Sequence, residues 1–429
     1  MNTKLFLLCL LYIGFTINMS AKDYIITDYG VHSDSTQIST SIIQSIINKA
    51  EAEGGGTIVI PKGTYLSGAL FFKPNTKLRL EAGAVLKGVD DITHYPLIPS
   101  RMEGKNIYYY AALVNAYYVD GFEISGPGTI NGNGQKFWSK FWTHRDSMNR
   151  MNKPWTNLEV HRPRLVFVWG CDSVKFSGSR FCNSGYWTIH LFQCNNILIE
   201  NCDIRSPYKA PSTDGIDLDV CSDAIIRNCY IAVDDDAVCI KGGKGPLAHK
   251  QKENGSVENI LIENCSFGHA HGTLTMGSES IHARNIIMRN CKVNNNCSLL
   301  RLKMRPDTYQ IYENITIENI TGVCGSIIAM APWKQFYNME NTKVSPKGIV
   351  RNITIKRLKV KCNELGTLNG NSNDSVDNII LKEIDATVKK MGLNTKYKNV
   401  KLENVKINNI ILEHDLQKHD SSCTDKKNI

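Results

Sequence analysis

The sequence predicts an all-β chain wound as a single right-handed parallel β-helix, with one helix capping its N-terminal end. Three observations predict it. A short apolar strand motif closing on Asn-Cys recurs at Asn196–Cys202, Ala224–Cys229, Asn259–Cys265 and Asn285–Cys291. Its cysteines are 27, 36 and 26 residues apart, with further short alternating strands in each gap; such periods are those of a coiled stack. Helical spacing stands ahead of the first strands, where the open edge of a stack needs covering.

Met1 to Lys4 followed by the apolar run Leu5–Phe15 has the form of a secretory signal, with cleavage near Ser20 or Ala21. The run is too short to span a bilayer, and no later run is long and apolar enough. Cys9 lies inside the run, which reads as signal rather than lipidation. The mature chain is therefore expected in the periplasm or outside the cell, as a monomer with no membrane span. A net charge of +9 suits a polyanionic partner. Export argues against nucleic acid, which leaves an acidic polysaccharide.

Ser39–Glu53 spaces Ile42, Ile43, Ile46, Ile47 and Ala50 as a helix and ends at Gly54-Gly55-Gly56. Strands are expected at 57–61, 64–72 and 78–86. Residues 22–95 read as cap and first coils, 96–413 as the main β-helix, and 414–429 as a polar tail; a separate small N-terminal domain is the alternative. Weaker copies of the repeat begin at Asn314, Asn352, Asn378 and Asn399. In a coil the same position recurs at the strand spacing of about 4.8 Å. Cys202, Cys229, Cys265 and Cys291 then form an inward stack, read as core thiols although a bridge between neighbours stays open. Asn201, Asn228, Asn264 and Asn290 form an amide ladder at a turn, and the sequons at Asn314 and Asn352 are repeat positions first. Residues 134–164 break the rhythm with Trp138, Trp142 and Trp155 among seven basic side chains. Such an insertion forms a lid or cleft wall, or a solvated loop packing its own tryptophans.

Register decides which polar residues meet. Asp235 follows Cys229 by six residues and His271 follows Cys265 by six, so they occupy equivalent positions on adjacent coils. Asp214 and Arg301 are displaced by short inserted loops but fall on the same face. Acid, acid, imidazole and guanidinium in one stripe describe a cleft. The chemistry fits glycoside hydrolysis with inversion, in which one carboxylic acid protonates the leaving oxygen while carboxylates opposite activate water. Crowding Asp214, Asp235 and Asp236 raises the pKa of at least one. Arg301 and Lys303 supply cations for a uronate carboxylate.

Ser212-Thr213-Asp214, Asp234-Asp235-Asp236, Ala270-His271-Gly272 and Arg301-Leu302-Lys303 stand in the order of four motifs. With them the chain resembles the polygalacturonase family of pectin-degrading hydrolases, glycoside hydrolase family 28, in which they read Asn-Thr-Asp, Gly-Asp-Asp, Gly-His-Gly and Arg-Ile-Lys. The resemblance covers nearly all of the mature chain and implies a pectin-lyase-like solenoid needing no metal or other cofactor. It further implies Asp235 as general acid, Asp214 with Asp236 as the water-activating pair, His271 as support for the acid, and Arg301 and Lys303 as sugar ligands. Ser212, Asp234 and Ala270 depart from the pattern. His190 or Trp187, one coil before Asp214, is expected beside the sugar or in the core; Trp333 and Lys334 form a corner one coil after Lys303. The expected substrate is α-linked galacturonic acid in pectin, attacked from a chain end because residues 134–164 and Arg305-Pro306-Asp307 could block one end of the groove. Rhamnogalacturonan or xylogalacturonan hydrolysis and rhamnosidase activity are alternatives on the same scaffold. A polysaccharide lyase and a non-catalytic glycan-binding β-helix are rivals of other classes.

Overall fold

A computed structural model describes residues 22–415; the expected signal segment and the tail from residue 416 lie outside the described residues. The chain coils so that each turn lays one strand on a parallel sheet of eleven strands, from Leu70–Phe72 to Leu393–Thr395. The rest of each turn forms a second, longer parallel sheet bent around the core. Strand alternation sends one side chain in two inward. Phe176, Ile199, Ile226, Ile262, Met288, Ile317 and Ile355 pair coil to coil in one buried column. Each such side chain contributes about 1.5–3 kcal/mol by leaving water.

The asparagines are explained by backbone. Asn201, Asn228, Asn264 and Asn290 have φ between 55° and 56°, the left-handed region that asparagine tolerates best among non-glycine residues. They turn the chain at a corner. The unbroken amide ladder, however, lies at the preceding corner: Asn285 donates to Asn259, Asn314 to Asn285, Asn352 to Asn314 and Asn378 to Asn352, at 2.9–3.2 Å.

Helix α1, Thr40–Ala52, buries Ile43, Ile46, Ile47 and Ala50 on the first coils. Its Gln44 side chain accepts from Phe71 N and donates to Phe71 O, satisfying the exposed edge of the eleven-strand sheet. At the other end Ile410–Asp415 turns back antiparallel on Val400–Ile407, so the expected tail begins as a strand. Within 134–164 lies a second helix, α2, Gln135–Arg150, fixed by buried Phe137, Trp138 and Phe141. A hairpin of Leu97–Met102 and Lys105–Tyr110 leaves the coil and folds over the eleven-strand sheet.

Candidate active site

The outer face of the eleven-strand sheet carries the predicted polar residues. Asp236 opens the strand Asp236–Lys241, and its backbone pairs with Gly272 on the next coil; His271 N donates to Asp235 O at 2.8 Å. One coil earlier, Gly215 N donates to Asp236 O, which sets Asp214 beside Asp236. Arg301 stands at the level of Thr275 and Cys239 rather than of His271. It reaches back across the sheet instead, Nη1 donating to Asp236 Oδ1 at 3.2 Å while Lys303 Nζ donates to Oδ2. Gly272 makes room for this. A Cβ there would stand 2.2 Å from Thr275 Oγ1 and 2.8 Å from Asp236 Oδ1.

The three carboxylates sit in different surroundings. Asp236 is fully buried, and although burial alone would raise its pKa, Lys303 and Arg301 outweigh it and hold the group at about 2. Burial first, then the neighbouring Asp217 and Asp235, pushes Asp214 well above the carboxylate range. Asp217 is raised to about 7 by burial, against the pull of Lys241. Lys241 Nζ stands 3.3–3.5 Å from Asp214, Asp217 and Glu279 at once. Asp235 is partly exposed, with Oδ1 3.3 Å from His271 Nδ1. That hydrogen bond raises the pKa of His271. Oxygens of Asp214 and Asp236 lie within 4.8 Å of one another, a span one water can bridge.

Asp214, Asp235, His271, Lys241, Arg301 and Lys303 line one cleft of three parts. A wide part of about 440 Å³ runs from His271, Arg301 and Trp333 toward Ser326, Asn363 and Glu364. A middle part of about 260 Å³ is walled by Trp142, Arg145 and Trp155 of the insertion and by Asp234 and Asp235. A closed part of about 60 Å³ is lined by Glu103, Trp187, Asp214, Lys241 and Glu279. Trp155, which lines the middle part, meets Phe336 edge to face at 6.3 Å, so the insertion is a wall. Trp333 lies beneath Arg301 and Lys303, 5.2 and 4.8 Å from their cationic centres.

Three expectations are corrected. His190 faces the same side of the sheet but is fully buried: Arg164 donates to its Nδ1 at 2.7 Å, and the hairpin residue Arg101 covers it by pairing with Asp219. Burial lowers its pKa to about 3, so no sugar reaches it. Trp187 lines the closed part instead. Lys334 is exposed and does not line the cleft. Arg305 blocks nothing: it is buried, paired with Asp307, and binds the carbonyls of Gln335 and Phe336 to hold their loop. The hairpin borders the part of about 60 Å³ through its tip residue Glu103, and its Lys105 pairs with Glu340 of that loop. Ser212, which replaces asparagine in the first motif, takes a hydrogen bond from the buried Arg162 at 3.3 Å. Glu103, Lys241 and Glu279 line the cleft and Asp217 lies buried behind Lys241; motif order missed all four. Lys241, a charge ending the apolar run Ala237–Ile240, was the signal available.

The family model for glycosyl hydrolases family 28 matches residues 53–392. A probable polygalacturonase of Vitis vinifera is 30% identical over 236 residues, 53% of this chain and 46% of that protein. The exo-poly-alpha-D-galacturonosidase of Dickeya chrysanthemi is 25% identical over 299 residues, 59% of this chain and 47% of that protein. The chain thus spans about half the length of these curated relatives. The crystal structure of a hyperthermoactive exopolygalacturonase from Thermotoga maritima shares the fold with a TM-score of 0.76 at 24% identity, over 91% of this chain and 93% of that one. A match across that much of the coil, on a sheet face where four motifs converge, means that the chain belongs to glycosyl hydrolases family 28.

Proposed function

We propose that the chain hydrolyses α-linked galacturonosyl bonds of pectin with inversion, removing units from a chain end. The observation that carries this reading is the division of three neighbouring carboxylates into different environments, Asp214 and Asp235 lining the cleft and Asp236 buried behind Arg301 and Lys303. Asp235, partly exposed against His271, protonates the leaving oxygen. Asp236, kept ionised by Lys303 and Arg301, takes a proton from a water held between it and Asp214, and that water attacks the anomeric carbon from the opposite face. Guanidinium nitrogens of Arg301 not spent on Asp236 face the cleft for a uronate carboxylate. The closed part of about 60 Å³ against an open part of about 440 Å³ supports end-on attack. The apolar run Leu5–Phe15 supports export toward such a polymer, and among the described residues no helix is long and apolar enough to cross a membrane.

Asp235→Asn is expected to lower kcat on polygalacturonate by about 10²–10⁴-fold while oligomer binding, read by calorimetry, survives. Unchanged kcat would remove Asp235 from its role. Digestion of polygalacturonate should release monomer from the first minutes; a ladder of oligomers would defeat the end-on mode, and release of rhamnose without galacturonate from any pectic substrate would defeat the uronate specificity. Absorbance gained in the ultraviolet, lost with a chelator, would favour a lyase.

A further inference from the structure

Asp235 lies between the middle and closed parts, while His271 joins the middle part to the wide one, so a chain attacked at its end leaves through the wide part. The unit that reaches from the middle part into the closed part keeps its anomeric carbon and is therefore the non-reducing terminal unit. No unneutralised cation meets it. Lys303 is paired with Asp236, Lys241 is shared by Asp214, Asp217 and Glu279, and Lys244 Nζ stands 3.3 Å from Glu103. Besides Asp214 and Asp235, what the closed part offers is two further oriented carboxylates, Glu103 and Glu279.

Glu103 sits at the tip of the hairpin with φ +44°. Its Oε1 accepts from Asn157 at 3.1 Å and from the Tyr186 hydroxyl at 3.3 Å, and its Oε2 from Lys244. Glu279 Oε1 accepts from the Ser278 hydroxyl at 2.6 Å and Oε2 from Lys241 at 3.3 Å. Burial would raise Glu279, but Lys241, Lys244 and Arg305 outweigh it and keep the group ionised. Glu279 and the Oε2 of Glu103 thus retain acceptor capacity. Beside them Trp187 gives a flat wall.

We propose that Glu103 and Glu279 recognise the free adjacent hydroxyls at the non-reducing end of the galacturonan, and so make an unmodified chain terminus a requirement for cleavage. This rests on the end-on hydrolysis proposed above. A carboxylate pair accepts hydrogen bonds from hydroxyl groups and repels a uronate carboxylate, which orients the terminal unit with its acid group toward Arg301 and Lys303. A chain whose terminal unit has lost its 4-hydroxyl, as lyase action leaves it, gives these carboxylates one partner fewer.

The test compares kcat/KM of the unaltered protein on trigalacturonate and on the trimer bearing a 4-deoxy, 4,5-unsaturated terminal unit. The saturated trimer is expected to be cleaved about ten to a hundred times more efficiently, the effect of one charge-assisted hydrogen bond. Glu103→Ala should bring the two rates together by lowering that on the saturated trimer more than that on the unsaturated one. Monomer release from polymer with equal rates on the two trimers would overturn the recognition alone. An oligomer ladder from polymer would overturn the end-on reading and this inference with it. Equal loss on both trimers in Glu103→Ala, with an unchanged melting curve, would give Glu103 a structural role only.

Discussion

Asp217 has no exposed surface and neither carboxylate oxygen has a hydrogen-bond partner. Burial raises it from 3.8 to about 7, with Lys241 Nζ 3.4 Å away pulling the other way. A folded-state pKa above the unfolded value means that the folded chain holds the extra proton between about pH 4 and 7. Stability therefore falls as pH rises through that window, by at most about 1.4 kcal/mol per pH unit from this group. Asp236 has the opposite sign. Held at about 2, it contributes stability that is present above about pH 4 and lost as pH falls toward 2. Asp217→Asn is expected to flatten part of the decline in thermal midpoint between pH 4 and 7, with Asp214 keeping its own share; circular dichroism melts at successive pH values measure it, and an unaltered slope would show that the proton resides elsewhere. The sequence exposed Asp217 as a carboxylate among apolar neighbours. It hid the partner, because Asp217 meets Lys241 only when the strands Ile216–Asp219 and Asp236–Lys241 are placed side by side.

At the scale of elements the cysteine column shows what spacing can establish. Cys202, Cys229, Cys265 and Cys291 are buried, and every cysteine among the described residues is free. Each thiol of the column donates to the carbonyl two residues before it, at 3.1–3.3 Å. A second column, Cys171, Cys194 and Cys221, repeats that bond at another corner. A stack that satisfies its own donors needs no bridge. Native protein should thus leave these thiols unreacted with an aromatic disulfide reagent, and unfolded protein should expose them; fast native reaction would contradict the burial. Cys229→Ser, which puts a more polar hydroxyl in the same place, should cost about 1–3 kcal/mol in chemical denaturation. The column was legible because a solenoid repeats one position per coil. Helix α2 and the 97–110 hairpin were not, since neither belongs to the repeat. Phe137, Trp138 and Phe141 show helical spacing, yet tryptophans among arginines read equally as a loop. The hairpin looks like another pair of strands, and only its departure from the coil makes it the cover over His190.

For the whole molecule, a coil gives an open groove by default, because the same outward face recurs on every turn. The hairpin and the insertion that wall the cleft are thus additions to the fold, and charge acts along the groove between them. The chain carries +9 overall, while the cations nearest the reacting carboxylates are largely spent on Asp236. Attraction of a polyanion must then come from the summed field more than from free cations in the cleft, and such a field is screened beyond about 10 Å at 0.1 M salt. Raising salt from about 0.05 to 0.5 M should lower kcat/KM on polygalacturonate roughly three- to tenfold through KM, with kcat little changed. Highly methyl-esterified pectin has few charges to steer and should respond much less. If both polymers lost activity in parallel, the salt would be acting on the Asp236–Lys303 contact rather than on encounter, and kcat would fall with KM unchanged.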